Sequence, residues 1–184
     1  MLFRVPFQVL ATGISPDNVR SVFFCESAFD AMAFYQMNRI QIGDSAALVS
    51  LGGTFSDRQI TGVMERFPNA RAFDCFDNDL AGRIYGLRMM ALQEGIQMKI
   101  SRTDGGIRIE AKGKIFEPDM ERPLLAQVAR QLNIRYRMGQ WLPPKAFKDW
   151  NDCLLNRPME PVISPHKEER EQNLSEQRNK GRKI

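Results

Sequence analysis

The chain has 184 residues, 43% of them hydrophobic, which suffices for one well-buried domain and falls short of two full ones. Its three cysteines, Cys25, Cys75 and Cys153, are odd in number and widely spaced, so neither a disulfide framework nor a paired-cysteine metal site is expected, and a reducing, cytoplasmic setting fits. The net charge is +4, no stretch approaches the roughly 20 apolar residues of a membrane span, and Met1 to Pro6 lacks a basic start followed by an apolar core, so a soluble protein with no membrane partner is expected.

In chain order, Phe3, Val5, Phe7 and Val9 alternate with polar residues and Pro6, the pattern of a half-buried edge strand in an N-terminal lead-in over residues 1–17. Ser21 to Cys25 is a continuous apolar run, and Ala28 to Met37 is rich in helix formers, so a strand passes at once into a helix. Ala46 to Leu51 repeats the strand signal; Gly52-Gly53 turns the chain, and Ser56-Asp57 opens a helix whose Ile60, Val63, Met64 and Phe67 share a face. Ala70 to Phe76 predicts a third strand, and Leu80, Ile84, Leu87 and Ala91 a third helix ending near Gly95. Three strand–helix units in series imply an α/β fold with a parallel sheet flanked by helices.

Beyond Gly95 the regularity loosens. Ile96 to Ile100 suggests a strand, Ile107 to Phe116 a hairpin, Pro123 to Leu132 a helix, and Ile134 to Arg137 a return to the sheet, so residues 100–133 read as an insertion before the last strand. From 158 to 184 the composition turns polar and charged, which predicts a disordered or loosely helical tail. No internal repeat is present. Charge is unevenly spread: residues 1–98 hold eight Lys/Arg against ten Asp/Glu, whereas residues 99–148 hold eleven against five. A basic segment beside acidic stations suits a polyanion handled with a bound cation; a solvated basic face is the equally open alternative.

Three acidic stations follow strands: Glu26 after the first, Asp77 and Asp79 after the third, and Asp149 with Asp152 late in the chain. Strand ends distant in sequence converge on one edge of a parallel sheet, and carboxylate oxygens are the ligands Mg²⁺ prefers. Zinc is not expected, since His166 in the tail is the one histidine. A calcium loop starting at Asp77 fails because Ala81 and Arg88 occupy its fifth and twelfth positions. Simpler readings stay open at each station. Glu26 suits the first turn of a helix, Asp79, Asp149 and Asp152 suit helix N-termini, and Gly52-Gly53 suits a tight turn. Asp74, inside the third strand, is expected at an edge or facing solvent, and Trp141 and Trp150 are expected to pack rather than stack on bases.

Taken in order, Glu26 within Cys25-Glu26-Ser27-Ala28-Phe29-Asp30, Gly52-Gly53, and Asp77-Asn78-Asp79-Leu80-Ala81-Gly82 reproduce the pattern of Toprim domains. Over residues 18–157 the chain resembles that family, and most of all the primase-like Toprim proteins of phages and mobile elements, in which a motif similar to Lys148-Asp149-Trp150-Asn151-Asp152 follows. The resemblance implies a Rossmann-like, mostly parallel sheet and assigns Glu26 as general acid/base or metal-linked carboxylate. It gives Asp77, Asp79, Asp149 and Asp152 as holders of Mg²⁺, with Mn²⁺ as a substitute, and Gly52, Gly53, Arg83 and Lys148 as phosphate contacts. Asp30 fits the family's helix acid and is expected as a helix-start or packing residue. The partner implied is DNA or RNA, single-stranded DNA first, together with replication or mobilisation proteins. Nucleotidyl transfer is the first expectation and nuclease action the second; a non-catalytic nucleic-acid-binding or assembly module is the alternative from another class, and the chain is compatible with a fragment of a larger primase.

Overall fold

The apolar runs of the first half of the chain become the strands of one sheet. The computed structural model describes residues 8–11 and 15–160. Its elements are β1 (Gln8–Ala11), β2 (Ser21–Cys25), α1 (Ala28–Ile42), β3 (Ala46–Ser50), α2 (Asp57–Arg66), β4 (Arg71–Asp74), α3 (Leu80–Gln93), β5 (Met98–Thr103), β6 (Gly106–Ala111), β7 (Lys114–Phe116), α4 (Leu124–Leu132), β8 (Gly139–Gln140) and α5 (Trp150–Leu154). The main sheet runs β1-β3-β2-β4-β8, and β5-β6-β7 form a second, three-stranded antiparallel sheet. In the main sheet β2 pairs in parallel with β3 and β4, β4 in parallel with β8, and β1 antiparallel with β3. This is the expected mostly parallel α/β arrangement. The expected edge strand is met by β1; residues 3–7 of that expectation, and the tail from 161 on, lie outside the described residues.

Alternation along the central strands sorts side chains onto two faces, as a period of two requires. Val22 and Phe24 of β2, Ala47 and Val49 of β3, and Ala72 of β4 join one buried cluster with Ile60, Val63, Leu87, Met90, Leu125 and Val128 of α2, α3 and α4. Phe23, Cys25, Ala46, Leu48 and Cys75 face the other way, against Ala31, Phe34 and Ile42 of α1 and Trp150 of α5. On that second face Phe34 meets Trp150 and Trp141 edge-on at centroid separations of 5.0 and 5.6 Å, and Phe23 stacks on Phe73 at 4.8 Å. Each such ring contributes about 1.5–3 kcal/mol by leaving water. Both tryptophans are therefore packing residues, as expected from the sequence.

Helix ends follow local chemistry. Ser27 accepts the Asp30 N–H at 3.1 Å to start α1, which runs on past Met37 to Ile42 and stops at Gly43 (φ 65°). Ser56 stands at the N-cap of α2 without a side-chain hydrogen bond. The exposed C-terminus of α4 receives the ammonium groups of Lys112 and Lys114 on the carbonyls of Leu132 and Gln131, a placement that suits the negative end of a helix. Among the described residues no helix is long and apolar enough to cross a membrane.

Two expectations are corrected. Residues 134–137 form no strand; the chain returns to the sheet at β8, where Gly139 lies against the Phe73 ring so closely that a Cβ would sit 2.4 Å from it. Asp74 does not face solvent: β8 covers β4, leaving Asp74 1% exposed. Its carboxylate accepts the Phe76 N–H and the Gln140 side-chain amide, each at 3.0 Å, and Gly86 makes room for it, since a Cβ there would lie 2.4 Å from Asp74 Oδ2.

Burial pushes the Asp74 carboxyl up to about 6 against the hydrogen bonds that favour its charge. With the folded value raised, the stability contributed by the neutral form is complete below the unfolded value near 3.8 and is lost as pH rises through about 6. The Asp74→Asn variant should therefore lose part of the decline in unfolding free energy between pH 4.5 and 7.5, by about 2 kcal/mol at most. Urea unfolding at both pH values measures this; an unchanged pH slope would contradict the assignment.

Candidate metal centre

Helices leave β2 and β4 toward opposite faces of the sheet: α1 follows β2 onto the face with Phe23 and Cys25, and α3 follows β4 onto the face with Val22 and Phe24. Between the carboxyl ends of these two neighbouring strands a crevice opens, the position where open α/β sheets bind ligands. Glu26 follows β2 on one side of it and Asp77 follows β4 on the other. The two are joined directly, the Asp77 N–H donating to Glu26 Oε1 at 3.2 Å, while the Glu26 carbonyl accepts the Gly53 N–H at 2.8 Å. Gly52 and Gly53, with φ of 69° and 82°, turn the chain at the end of β3 in a conformation that disfavours side chains, with open space where a Cβ would point.

Ligand atoms of Asp30, Asp77 and Asp149 all lie within 4.8 Å of one another. Asp30 and Asp77 are buried and Asp149 half-buried. The three arrive from different elements. Asp30 sits in the first turn of α1, where it accepts the Ser27 hydroxyl and, at 3.2 Å, the Asn151 N–H of α5. Asp149 caps α5 by accepting the Asp152 N–H at 2.7 Å, and Asp79 caps α3 by accepting the Gly82 N–H at 3.0 Å. The N-cap reading and a ligand reading are compatible, because a carboxylate has two oxygens. Asp79 joins the cluster through Lys148, whose Nζ lies 3.3 Å from Asp77 Oδ2 and 3.7 Å from Asp79 Oδ2. Asp152 stands beside Asp149 without belonging to the triad.

The loop carrying Asp77 and Asp79 is tied to the loop before α5. Asn78 donates its N–H to the Lys148 carbonyl at 2.7 Å and its side-chain amide to the carbonyls of Pro143 and Phe147 at 3.0 and 2.7 Å. Gly82 permits this path, for a Cβ would lie 2.3 Å from the Asp77 carbonyl oxygen. Arg83, the other expected phosphate contact, donates its guanidinium to the Met120 carbonyl, so it braces the segment before α4.

Uncompensated negative charge marks the site. Asp77 is pushed up to about 7, first by burial and then by repulsion from Glu26 and Asp30, which its pairing with Lys148 only partly offsets. Glu26 also lies above the usual carboxylate range, through burial first and repulsion from Asp79 and Asp30, against the hydrogen bond from Asp77 and the attraction of Lys148. Hard carboxylate oxygens crowded in this way fit a hard divalent cation. Thiol chemistry does not fit: burial, then the neighbouring Cys25, holds the Cys75 thiol well above its ordinary value. A cleft of about 810 Å³ at the opposite edge of the sheet carries no comparable set; there Arg71 donates to the Arg137 carbonyl and Glu94 accepts the Arg137 N–H.

Residues 23–106 match the family model described as Toprim-like. Over that stretch the chain is similar to Toprim-like domains. No curated protein and no solved structure matches it. The Toprim match spans β2 through β5, and so takes in Glu26, Asp30, Gly52, Gly53, Asp77 and Asp79, while Asp149 and Asp152 lie beyond it. Toprim domains bind divalent metal ions and point to nucleic-acid processing, and the acidic cluster able to hold such an ion is present here. Asp30 stands at a helix start as expected, but its closeness to Asp77 and Asp149, and the clamp made by Asn78, were not foreseen from the sequence. The signal for Asp30 is its spacing, one helical turn beyond Glu26, which returns a side chain to the same edge of the sheet.

With burial and the neighbouring acids pushing Asp77 up to about 7, a divalent cation bound there would displace its proton, and divalent-cation affinity should rise between pH 6 and 8. Calorimetric titration at these two pH values should show roughly a tenfold difference. Gly82→Ala should move the Asp77 carbonyl and cost about 1–3 kcal/mol of unfolding free energy together with metal affinity; a variant of unchanged stability and affinity would refute the close approach.

Proposed function

We propose that this chain is a Mg²⁺-dependent nucleic-acid enzyme domain of the primase-like Toprim kind, acting on DNA by phosphoryl or nucleotidyl transfer. The observation that carries the proposal is the meeting of Glu26 and Asp77 across the β2/β4 crevice with Asp30 and Asp149 beside them. In this reading Asp77, Asp79 and Asp149 hold the metal, with Asp30 completing the buried wall and Asp152 supporting Asp149 or a second ion. A divalent ion bound there supplies charge neutralisation at a phosphoryl oxygen. Glu26, raised above its ordinary value by burial, takes a proton from the attacking hydroxyl and returns one to the leaving group. Gly52 and Gly53 offer bare backbone at the end of β3, where a phosphate can approach closely, and Lys148 and Arg83 supply cations at the rim.

The nucleic-acid partner, single-stranded DNA first, is supported by the domain family and by the excess of Lys/Arg in residues 99–148. That excess is partly spent locally: Lys99 pairs with Glu110, Arg108 with Glu117 and Arg122 with Asp119, all at exposed positions. The surface term is therefore smaller than the sequence count, and Mn²⁺ in place of Mg²⁺, a replication or mobilisation context and membership of a longer protein all belong to the same proposal.

Asp77→Asn should weaken Mg²⁺ binding at least about tenfold and abolish metal-dependent turnover, whereas Glu26→Gln should retain binding within a few-fold and lose about 10²–10⁴ in rate. Calorimetry alongside priming and cleavage assays on single-stranded DNA separates the outcomes. Unaltered metal binding in both variants would remove the site assignment; metal binding with neither activity would favour an assembly module, and cleavage without priming a nuclease.

A further inference from the structure

Lys148 is the one side chain whose cationic group forms ion pairs with the acidic cluster among the described residues. Its position is built rather than incidental. The Lys148 carbonyl is held by the Asn78 N–H at 2.7 Å, and the preceding residues are held by the Asn78 amide, so the main chain is fixed beside the Asp77 loop. The side chain is not fixed in the same way: it is 47% exposed, whereas that of Asp77 is 10% exposed. The ammonium therefore reaches a buried carboxylate from a side chain that lies about half in solvent.

Asp77 Oδ2 is the oxygen that Lys148 approaches most closely, and Asp77 is also a member of the triad able to hold a cation. A divalent ion carries twice the charge of an ammonium, so both cations could not share this small negative pocket without strong repulsion. Resting on the metal-site reading above, we infer that Lys148 is a resident counter-cation of the acidic cluster. With a divalent ion held by the triad, Lys148 would leave Asp77, and its ammonium would become the cationic contact for the phosphate of bound nucleic acid. The ion pair is thus one of two positions of a single side chain: closed over the carboxylates without metal, and turned to the crevice mouth with metal. Phosphate affinity and metal binding are thereby coupled through one residue, each favouring the other.

The test uses the full chain and Mg²⁺ alone. The acylation rate of Lys148 by an activated ester, followed by mass spectrometry with the exposed Lys145 as internal reference, should rise several-fold at saturating Mg²⁺ while that of Lys145 stays constant. Lys148→Met, which keeps the stem and removes the charge, should bind Mg²⁺ about tenfold more tightly and single-stranded DNA more weakly in the presence of metal. Unchanged Lys148 acylation at saturating Mg²⁺ would overturn the inference and leave the metal site standing, as would a Lys148→Met variant with weakened Mg²⁺ binding. Absence of Mg²⁺ binding by both proteins would overturn the metal-site reading itself, and the inference with it.

Discussion

The parallel pairing of β2 with β4 sets everything that follows at this site. Phe24 stands opposite Asp74 in that ladder, so the residues just beyond, Cys25 and Glu26 on one strand and Cys75 to Asp77 on the other, are carried to one edge in step. The helices that continue from the two strands depart to opposite faces, and the backbone cannot close the gap behind them. The register is fixed by alternating Phe and Val side chains that fill both faces of the sheet; a slip of one residue would expose the whole apolar set and separate Glu26 from the Asp77 N–H.

Assembling several carboxylates in a half-buried crevice is costly, and the chain manages the cost with its own termini. Three helices begin at the acids: α1 just after Glu26, α3 at Asp79 and α5 at Asp149. Their unpaired N–H groups and positive ends face negative charge, and the capping oxygens of Asp79 and Asp149 answer donors that would otherwise lack partners. Lys148 adds a single positive charge, although burial works against its ionised form; the Asp77, Asp79 and Asp149 carboxylates outweigh that penalty and hold its ammonium above the ordinary range. Asp77 stays raised nonetheless.

Much of this arrangement is readable from short-range pattern. The runs at Ser21 to Cys25, Ala46 to Leu51 and Ala70 to Phe76 are mostly apolar and β-prone, so both the strands and the acids at their ends follow from local sequence. What escapes is set by long-range contact. Asp74 looks like an edge residue because nothing nearby announces that Gly139 and Gln140, the two residues of β8, will cover β4. The displaced return strand has the same origin: Ile134 and Tyr136 supply an apolar alternation that packs against the core without entering the ladder, and the pairing is decided by where Gly139 can approach Phe73. Asp30 is legible as a helix-start residue and equally as a wall of the crevice, and only the position of α5 brings out the second role.

The clamp made by Asn78 has a consequence for how this domain can vary. Its side chain and N–H bind the 143–148 loop to the aspartate loop, while the Trp141 N–H donates to the Asp74 carbonyl at 2.7 Å. The path from α3 to β8, with its separate small sheet and α4, is thus a detour whose far end is moored to the same strand it left. Because Ile107, Ile109, Leu125 and Val128 of that detour pack into the core of the main sheet, its exposed turns at 104–105 and 112–113 are where new surface can be acquired with the least effect on the acidic centre.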